Sequence, residues 1–192
     1  GLSFCCPAAG AVYVFHHQIQ REHNVARQAG VDFPEVDIVQ VWRSVLAEFA
    51  ARGWVTGPEG VDLPALAVEF EVRVNPLWPM PNVVQALEGL RHAGKVLGVV
   101  SNAQFYTPQV FPALVRHTLA ELGFEHDLQF YSYQHAQAKP GVALYRLAAA
   151  SLLALVLTGL AACRAPSAGI DRHRHAAKGV EMMAPKRDDI AT

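Results

Sequence analysis

The stretch "KVLGVVSN", residues 95–102, decides the fold prediction, because an apolar run within it ends abruptly on two polar residues. Val, Leu and Gly fill residues 96–100, directly before Ser101 and Asn102. A strand that is apolar at every position is typical of a parallel sheet covered on both faces. In open α/β sheets, ligands bind beyond the carboxyl ends of the strands. Ser101 and Asn102 are therefore either a polar turn that caps the next helix or one part of a site.

The segments around this stretch alternate between helical and strand patterns, which indicates βαβ units and a parallel sheet. Three prolines fall within six residues of "NPLWPMPN", residues 75–82, and predict a rigid linker before this alternating region. We therefore divide the chain into a helical region (1–74), an α/β core (75–150) and a divergent tail (151–192) that is mostly irregular after Ala165. The predicted core elements are a helix over 82–93, a strand over 95–100, a helix over 107–122, a strand over 127–131 and a helix over 141–155.

The first 74 residues show mainly helical patterns. Residues 11–29 begin in a strand-like manner and become helical after Gln18, and Pro34 is placed to begin the next helix. That helix has an apolar face with three- and four-residue spacing, and residues 63–74 predict another helix. The apolar face consists of Ile38, Val41, Trp42, Val45, Leu46 and Phe49. Trp78 and Phe111 are predicted to be core residues together with Trp42 and Phe49.

Composition limits the classes of function. The 192 residues are 52% hydrophobic with a formal net charge of -1, so no basic surface for nucleic acid is indicated. The three cysteines form no C-x-x-C pair, and no signal peptide precedes the helical region, which favours a cytoplasmic location.

Residues 146–163 resemble a lipoprotein signal. This run is shorter than the roughly 20 apolar residues that a membrane span needs, so we expect a buried helix or a scrambled tail and no membrane role.

A second candidate site residue follows the second strand of the core. In "FYSYQHAQAKPG", residues 130–141, Lys139 directly precedes Pro140, which is placed to begin the next helix. A lysine at the carboxyl edge of a sheet is suited to neutralising a phosphate or an anionic intermediate. Lys139 and Ser101 are 38 residues apart on adjacent βα units, so their side chains can converge. The alternative is that Lys139 is an ordinary solvated surface lysine.

These residues together resemble the middle of a haloacid-dehalogenase (HAD) superfamily hydrolase. The similarity covers roughly residues 75–150. In it, Ser101 corresponds to the second motif of that superfamily and Lys139 corresponds to the third. The preceding helices are similar to the helical cap of many members. The resemblance implies an α/β, Rossmann-like parallel sheet with an α-helical cap. It also implies a phosphatase-type hydrolase for a small phosphorylated metabolite. In it, Ser101 and Lys139 are catalytic residues that hold the phosphoryl oxygens and the nucleophile, and Ser101, Asn102 and Lys139 bind the substrate.

The chain departs from the family pattern at the nucleophile and at the metal ligands. The family uses an Asp nucleophile in a D-x-D motif, and no D-x-D occurs in this sequence. Family members also hold Mg²⁺ with acidic residues after a later strand. Asp171, Asp188 and Asp189 follow no convincing strand, so the metal ligands are not assigned. The predicted core is therefore an incomplete HAD core with impaired hydrolysis. Whether the chain is an enzyme stays open, the alternative being a non-catalytic remnant or anion-binding module from a truncated or frame-shifted gene.

Overall fold

The computed structural model describes residues 3–5 and 7–164, and the side chains of this range as far as residue 158, except that of residue 4. It is a mixed α/β structure with two small sheets. The strands are β1 (Ser3–Phe4), β2 (Val55–Thr56), β3 (Leu97–Ser101) and β4 (Phe124–Tyr131). The helices are α1 (Ala8–Gln28), α2 (Ile38–Ala51), α3 (Leu63–Val74), α4 (Val83–His92), α5 (Thr107–Val115), α6 (Ser132–His135) and α7 (Ala143–Arg164).

The helical region packs around one apolar core formed by α1, α2, α3 and β2. On α2 the predicted face is correct at its centre, because Val41, Trp42, Val45, Leu46 and Phe49 are all buried. The α2 helix begins at Ile38, and the preceding Asp37 accepts a hydrogen bond of 2.8 Å from the Val39 amide. This is the side-chain cap that a helix N-terminus favours.

Two predictions for the helical region are wrong. Residues 11–17 are helical, because α1 begins at Ala8 and places Val14 and Gln18, four residues apart, against the core. Pro34 does not begin α2. Pro34 forms an isolated antiparallel bridge with Gln137, and this contact holds the segment before α2 in an extended conformation.

The predicted parallel pairing is present between β3 and β4. Val100 pairs with Phe130, and Ser101 pairs with Tyr131. An irregularity separates Leu97 from Val99, where Gly98 allows close approach: a Cβ there would lie 2.8 Å from the Leu128 carbonyl oxygen. Only these two strands form the parallel sheet within the described residues, so the structure shows a mixed α/β fold with a small parallel sheet, and the Rossmann-like core stays a prediction.

Element bounds in the core differ from the predicted ones for local reasons. The α5 helix ends at Val115, well before residue 122, because Pro112 removes one backbone donor and Arg116 adopts a left-handed conformation with φ 63°. The α7 helix continues past residue 155 to Arg164. Trp78 is 82% exposed, so the prediction that it is a core residue is wrong.

Among the side chains of helix α7 that are described, as far as residue 158, the fully buried one lies near the start of the helix. Leu144 is fully buried against Leu128 and Phe130 of β4, whereas Leu152, Leu153 and Leu157 are exposed. No helix within residues 7–164 combines the length and apolarity that a membrane span requires. The predicted irregular tail after residue 164 lies outside the described residues.

Candidate functional site

The structure brings Ser101, Asn102 and Lys139 to one edge of the parallel sheet. Ser101 ends β3 and Lys139 lies between β4 and α7, joined to Pro140 by a cis peptide bond. The Asn102 side-chain oxygen accepts a 2.7 Å hydrogen bond from the Lys139 amide, and the Asn102 side-chain nitrogen donates to the Lys139 carbonyl at 3.1 Å. The expected convergence of the two segments is therefore present, and Asn102 makes the direct link.

The ammonium group of Lys139 is anchored to β3. Its Nζ donates a 3.0 Å hydrogen bond to the Val100 carbonyl oxygen, and the side chain is half-buried. A lysine ammonium has three N–H donors, so two remain for an anion. The Ser101 hydroxyl makes only a long bond of 3.3 Å, to the Asn102 carbonyl, and it is correspondingly available to a ligand.

Ser132 is a site residue that sequence reasoning missed. It is fully buried at the start of α6, and its hydroxyl accepts a 2.8 Å hydrogen bond from the Ala103 amide. The same hydroxyl donates to Glu35 at 2.6 Å. Ser132 thereby connects the loop after β3 to the helical region. Ser132 could have been predicted from its position, because it lies at the carboxyl end of a strand, as Ser101 does.

Gln104 makes a second link to the helical region. Its side-chain nitrogen donates to the Val36 carbonyl at 2.8 Å, and its side-chain oxygen accepts from the Ile38 amide at 3.1 Å. Both bonds join residues almost 70 positions apart in the chain. No local pattern in the sequence indicates such a contact, so neither Gln104 nor Glu35 was predictable as a site residue.

These links border a cleft of about 1020 Å³, which we call the interface cleft, between the helical region and the carboxyl end of β3. Ser101, Asn102 and Gln104 line one part of it. The aromatic rings of Phe15, Trp42 and Phe70 line another part, with ring centroids 4.9–5.1 Å apart. The cleft therefore combines polar strand ends with an apolar wall, which is the usual make-up of a small-molecule site.

The electrostatics of the cleft are set by carboxylates. Glu35 and Glu71 both line it, and Tyr106 stands beside them. Burial raises the pKa of the Tyr106 phenol well above its usual range, and the neighbouring Glu71 and Glu35 carboxylates raise it further. Tyr106 is therefore a neutral hydrogen-bonding group at physiological pH. Within residues 7–158 no lysine or arginine lines the cleft.

A cluster of metal-ligating side chains is absent from the described residues. Within them, no group of three or more His, Cys, Asp or Glu side chains is placed to hold a metal ion. The side chains at the strand ends are a hydroxyl, an amide and an ammonium, whereas Mg²⁺ requires carboxylate or phosphate oxygens in octahedral geometry. Asp171, Asp188 and Asp189 lie outside the described residues. Magnesium thus stays an expectation from the resemblance.

The chain was compared with protein-family models, with curated proteins and with solved structures, and none of the three comparisons gave a match. Function is therefore argued from the geometry of the strand ends and of the interface cleft.

Proposed function

We propose that the chain is a HAD-like hydrolase fold of phosphatase type. In this proposal Ser101, Asn102 and Lys139 bind the phosphoryl group of a small phosphorylated metabolite, and turnover is impaired because the sequence has no D-x-D nucleophile motif. The observation that carries the proposal is the pair of hydrogen bonds between Asn102 and the backbone of Lys139. These bonds hold the two motif segments together at the carboxyl end of the sheet.

The donor set at this edge suits an anion. Lys139 supplies a positive charge with two uncommitted N–H donors, and Ser101 supplies a hydroxyl. Charge-assisted hydrogen bonds of this kind are stronger than neutral ones. Ser101 and Asn102 also line the interface cleft, whereas Lys139 does not, so in this proposal the rest of a small metabolite extends past Ser101 into the polar part of the cleft.

A second candidate function is a non-catalytic anion-binding module of the same fold. The observation that favours it is the environment of Lys139: its ammonium contacts a backbone carbonyl of β3, and no carboxylate of the described residues forms an ion pair with it. Loss of a nucleophile lowers turnover by several orders of magnitude. The two candidates share the phosphate site and differ only in hydrolysis.

The test compares Lys139→Ala with the chain as it stands. We expect Lys139→Ala to weaken binding of inorganic phosphate about tenfold or more, since one charge-assisted hydrogen bond contributes about 1.5–3 kcal/mol. Binding is measured by calorimetric titration. Lys95→Ala, which removes the same charge at an exposed position, is the matched control and retains the affinity of the unmodified chain.

A parallel assay of p-nitrophenyl phosphate hydrolysis with magnesium separates the two candidates. Slow turnover that Lys139→Ala abolishes supports the hydrolase, and phosphate binding without turnover supports the binding module. Equal phosphate affinity in Lys139→Ala and the unmodified chain contradicts both.

A further inference from the structure

We propose that the interface cleft binds a small organic cation with an aromatic or apolar body. This inference goes beyond the proposed function and does not depend on it, because it concerns the aromatic and acidic part of the cleft and not the strand ends. Two observations carry it: the aromatic wall and the two carboxylates that line the cleft.

The aromatic wall is the first observation. Phe15, Trp42 and Phe70 contact one another, with centroid distances of 5.0 Å, 4.9 Å and 5.1 Å, and all three line the cleft. Aromatic faces attract cations through their quadrupoles, and this attraction grows when the cation is shielded from water. Such a wall also buries the apolar body of a ligand.

The charge of the cleft is the second observation. Glu35 and Glu71 contribute two carboxylates, and the imidazole of His16 is the only basic side chain among the described lining residues. Glu35 is already occupied, since its carboxylate accepts hydrogen bonds from Ser132 and from the Val36 amide. Glu71 accepts a bond at 2.8 Å from the Asn75 side chain and interacts with the Tyr106 hydroxyl, and a carboxylate has about four acceptor positions. Glu71 is therefore the carboxylate with capacity for a ligand cation.

Trp42 contributes its ring, and not its N–H, to the binding of such a ligand. The residue is only 8% exposed, and it forms part of the cleft wall. Its indole nitrogen has no hydrogen-bond acceptor among the described residues and is itself buried. A protonated amine has no acceptor atom for this donor, so the proposal does not rest on it.

The raised pKa of Tyr106 is consistent with the same ligand class. The neutral phenol lies beside Glu71 and Glu35 and offers a hydrogen bond without adding charge. The aromatic and acidic part of the cleft, away from the strand ends, therefore presents negative charge, aromatic faces and a neutral hydroxyl. A protonated amine with an aromatic or aliphatic body satisfies all three, whereas a carboxylate ligand is repelled.

The test titrates the intact chain with 2-phenylethylamine, with neutral 2-phenylethanol and with anionic 3-phenylpropionate. Binding is followed through the three tryptophan indole signals in nitrogen–proton correlation spectra. Trp54 and Trp78 do not line the cleft and serve as internal controls. We expect the amine to shift the Trp42 signal selectively and to bind about tenfold more tightly than the alcohol, with the anion weakest.

The variant Glu71→Gln tests the charge. A glutamine retains an acceptor oxygen for Asn75, so the fold is preserved, and we expect the amine to lose about fivefold to tenfold in affinity while the alcohol does not change. Glu59→Gln removes a carboxylate from an exposed loop outside the cleft and is the matched control. Equal affinity for the amine and the alcohol, no shift of the Trp42 signal, or an equal loss in Glu59→Gln overturns the proposal.

Discussion

Two side-chain amides after β3 act in the same way on two different segments. Asn102 bonds both the amide and the carbonyl of Lys139. Gln104, two residues on, bonds the Val36 carbonyl and the Ile38 amide. Each amide offers one donor and one acceptor side by side. It therefore makes a pair of backbone hydrogen bonds of the kind that a neighbouring strand would make. The loop after β3 is therefore fixed to both of its neighbours without regular secondary structure.

At the residue scale, Ser132→Ala is expected to destabilise the fold by about 1–3 kcal/mol. The substitution leaves the buried Ala103 amide without its acceptor and deprives Glu35 of a donor. Urea denaturation followed by circular dichroism measures the change. Ser151→Ala on α7, at a half-buried position, is the comparison and is expected to stay within about 0.5 kcal/mol. Equal stability of the two variants would show that the Ser132 hydroxyl is not needed.

Only those residues of the candidate site that belong to a local sequence pattern could be predicted. Ser101 and Asn102 follow an apolar run, and Lys139 precedes a proline at the next strand end, so the order of elements brings them together. Glu35 and Gln104 are brought to the site by contacts across 66 to 97 residues. Such contacts depend on how the helical region docks, and no residue pattern specifies that docking.

At the scale of the element, α7 has two different environments. Leu144 is completely buried against β4, whereas Leu153, nine residues later, is 59% exposed. Both halves of the helix are predominantly apolar, which is why the sequence predicted either a buried helix or a scrambled tail over residues 146–163. Burial depends on the reach of the sheet, and the two strands cover only the first turns of α7.

This difference predicts unequal effects of substitution along α7. Leu144→Ala is expected to destabilise the protein by about 2–5 kcal/mol, because it removes buried methyl groups and leaves a cavity. Leu153→Gln is expected to change stability by less than about 0.5 kcal/mol. Thermal unfolding monitored by calorimetry measures both. A large loss in Leu153→Gln would mean that the exposed half of α7 is covered in solution.

The other elements show which features of a sequence allow the buried faces and the ends of helices to be predicted. The amphipathic period of α2 was sufficient to predict its buried face, and α3 was predicted correctly from its composition. The prediction for the start of α1 was wrong because a run of Val, Tyr, Val and Phe favours a strand locally. Packing of Phe15 and Ile19 against α2 outweighs that preference, since these residues share one helical face.

At the scale of the whole molecule, the helical region and the parallel sheet are joined by a small set of polar contacts. Phe33 and Glu35 pair with Ala138 and Ala136 through backbone hydrogen bonds of 2.7 Å and 3.2 Å. The side chain of Gln104 adds its two bonds beside them. The interface cleft lies at this junction, so its shape depends on these contacts.

Gln104→Ala is therefore expected to loosen the junction. Hydrogen exchange at the Ile38 amide should accelerate about fivefold or more, because that amide loses its acceptor, while exchange in the centre of α2 remains slow. Mass spectrometry of peptides spanning residues 33–42 measures the effect. Gln85→Ala, at an exposed position on α4, is the control. Unchanged exchange at Ile38 would show that the docking does not depend on Gln104.

The long chain separation across the junction has a consequence for synthesis of the protein. Glu35 and Ser132 are 97 residues apart, and translation at about 5–20 residues per second places roughly 5–20 s between their emergence from the ribosome. All residues of α1, α2 and α3 emerge before Ser132 is made, so the Ser132–Glu35 contact cannot form until the helical region has left the ribosome. Slow translation of residues 75–132 would lengthen this interval.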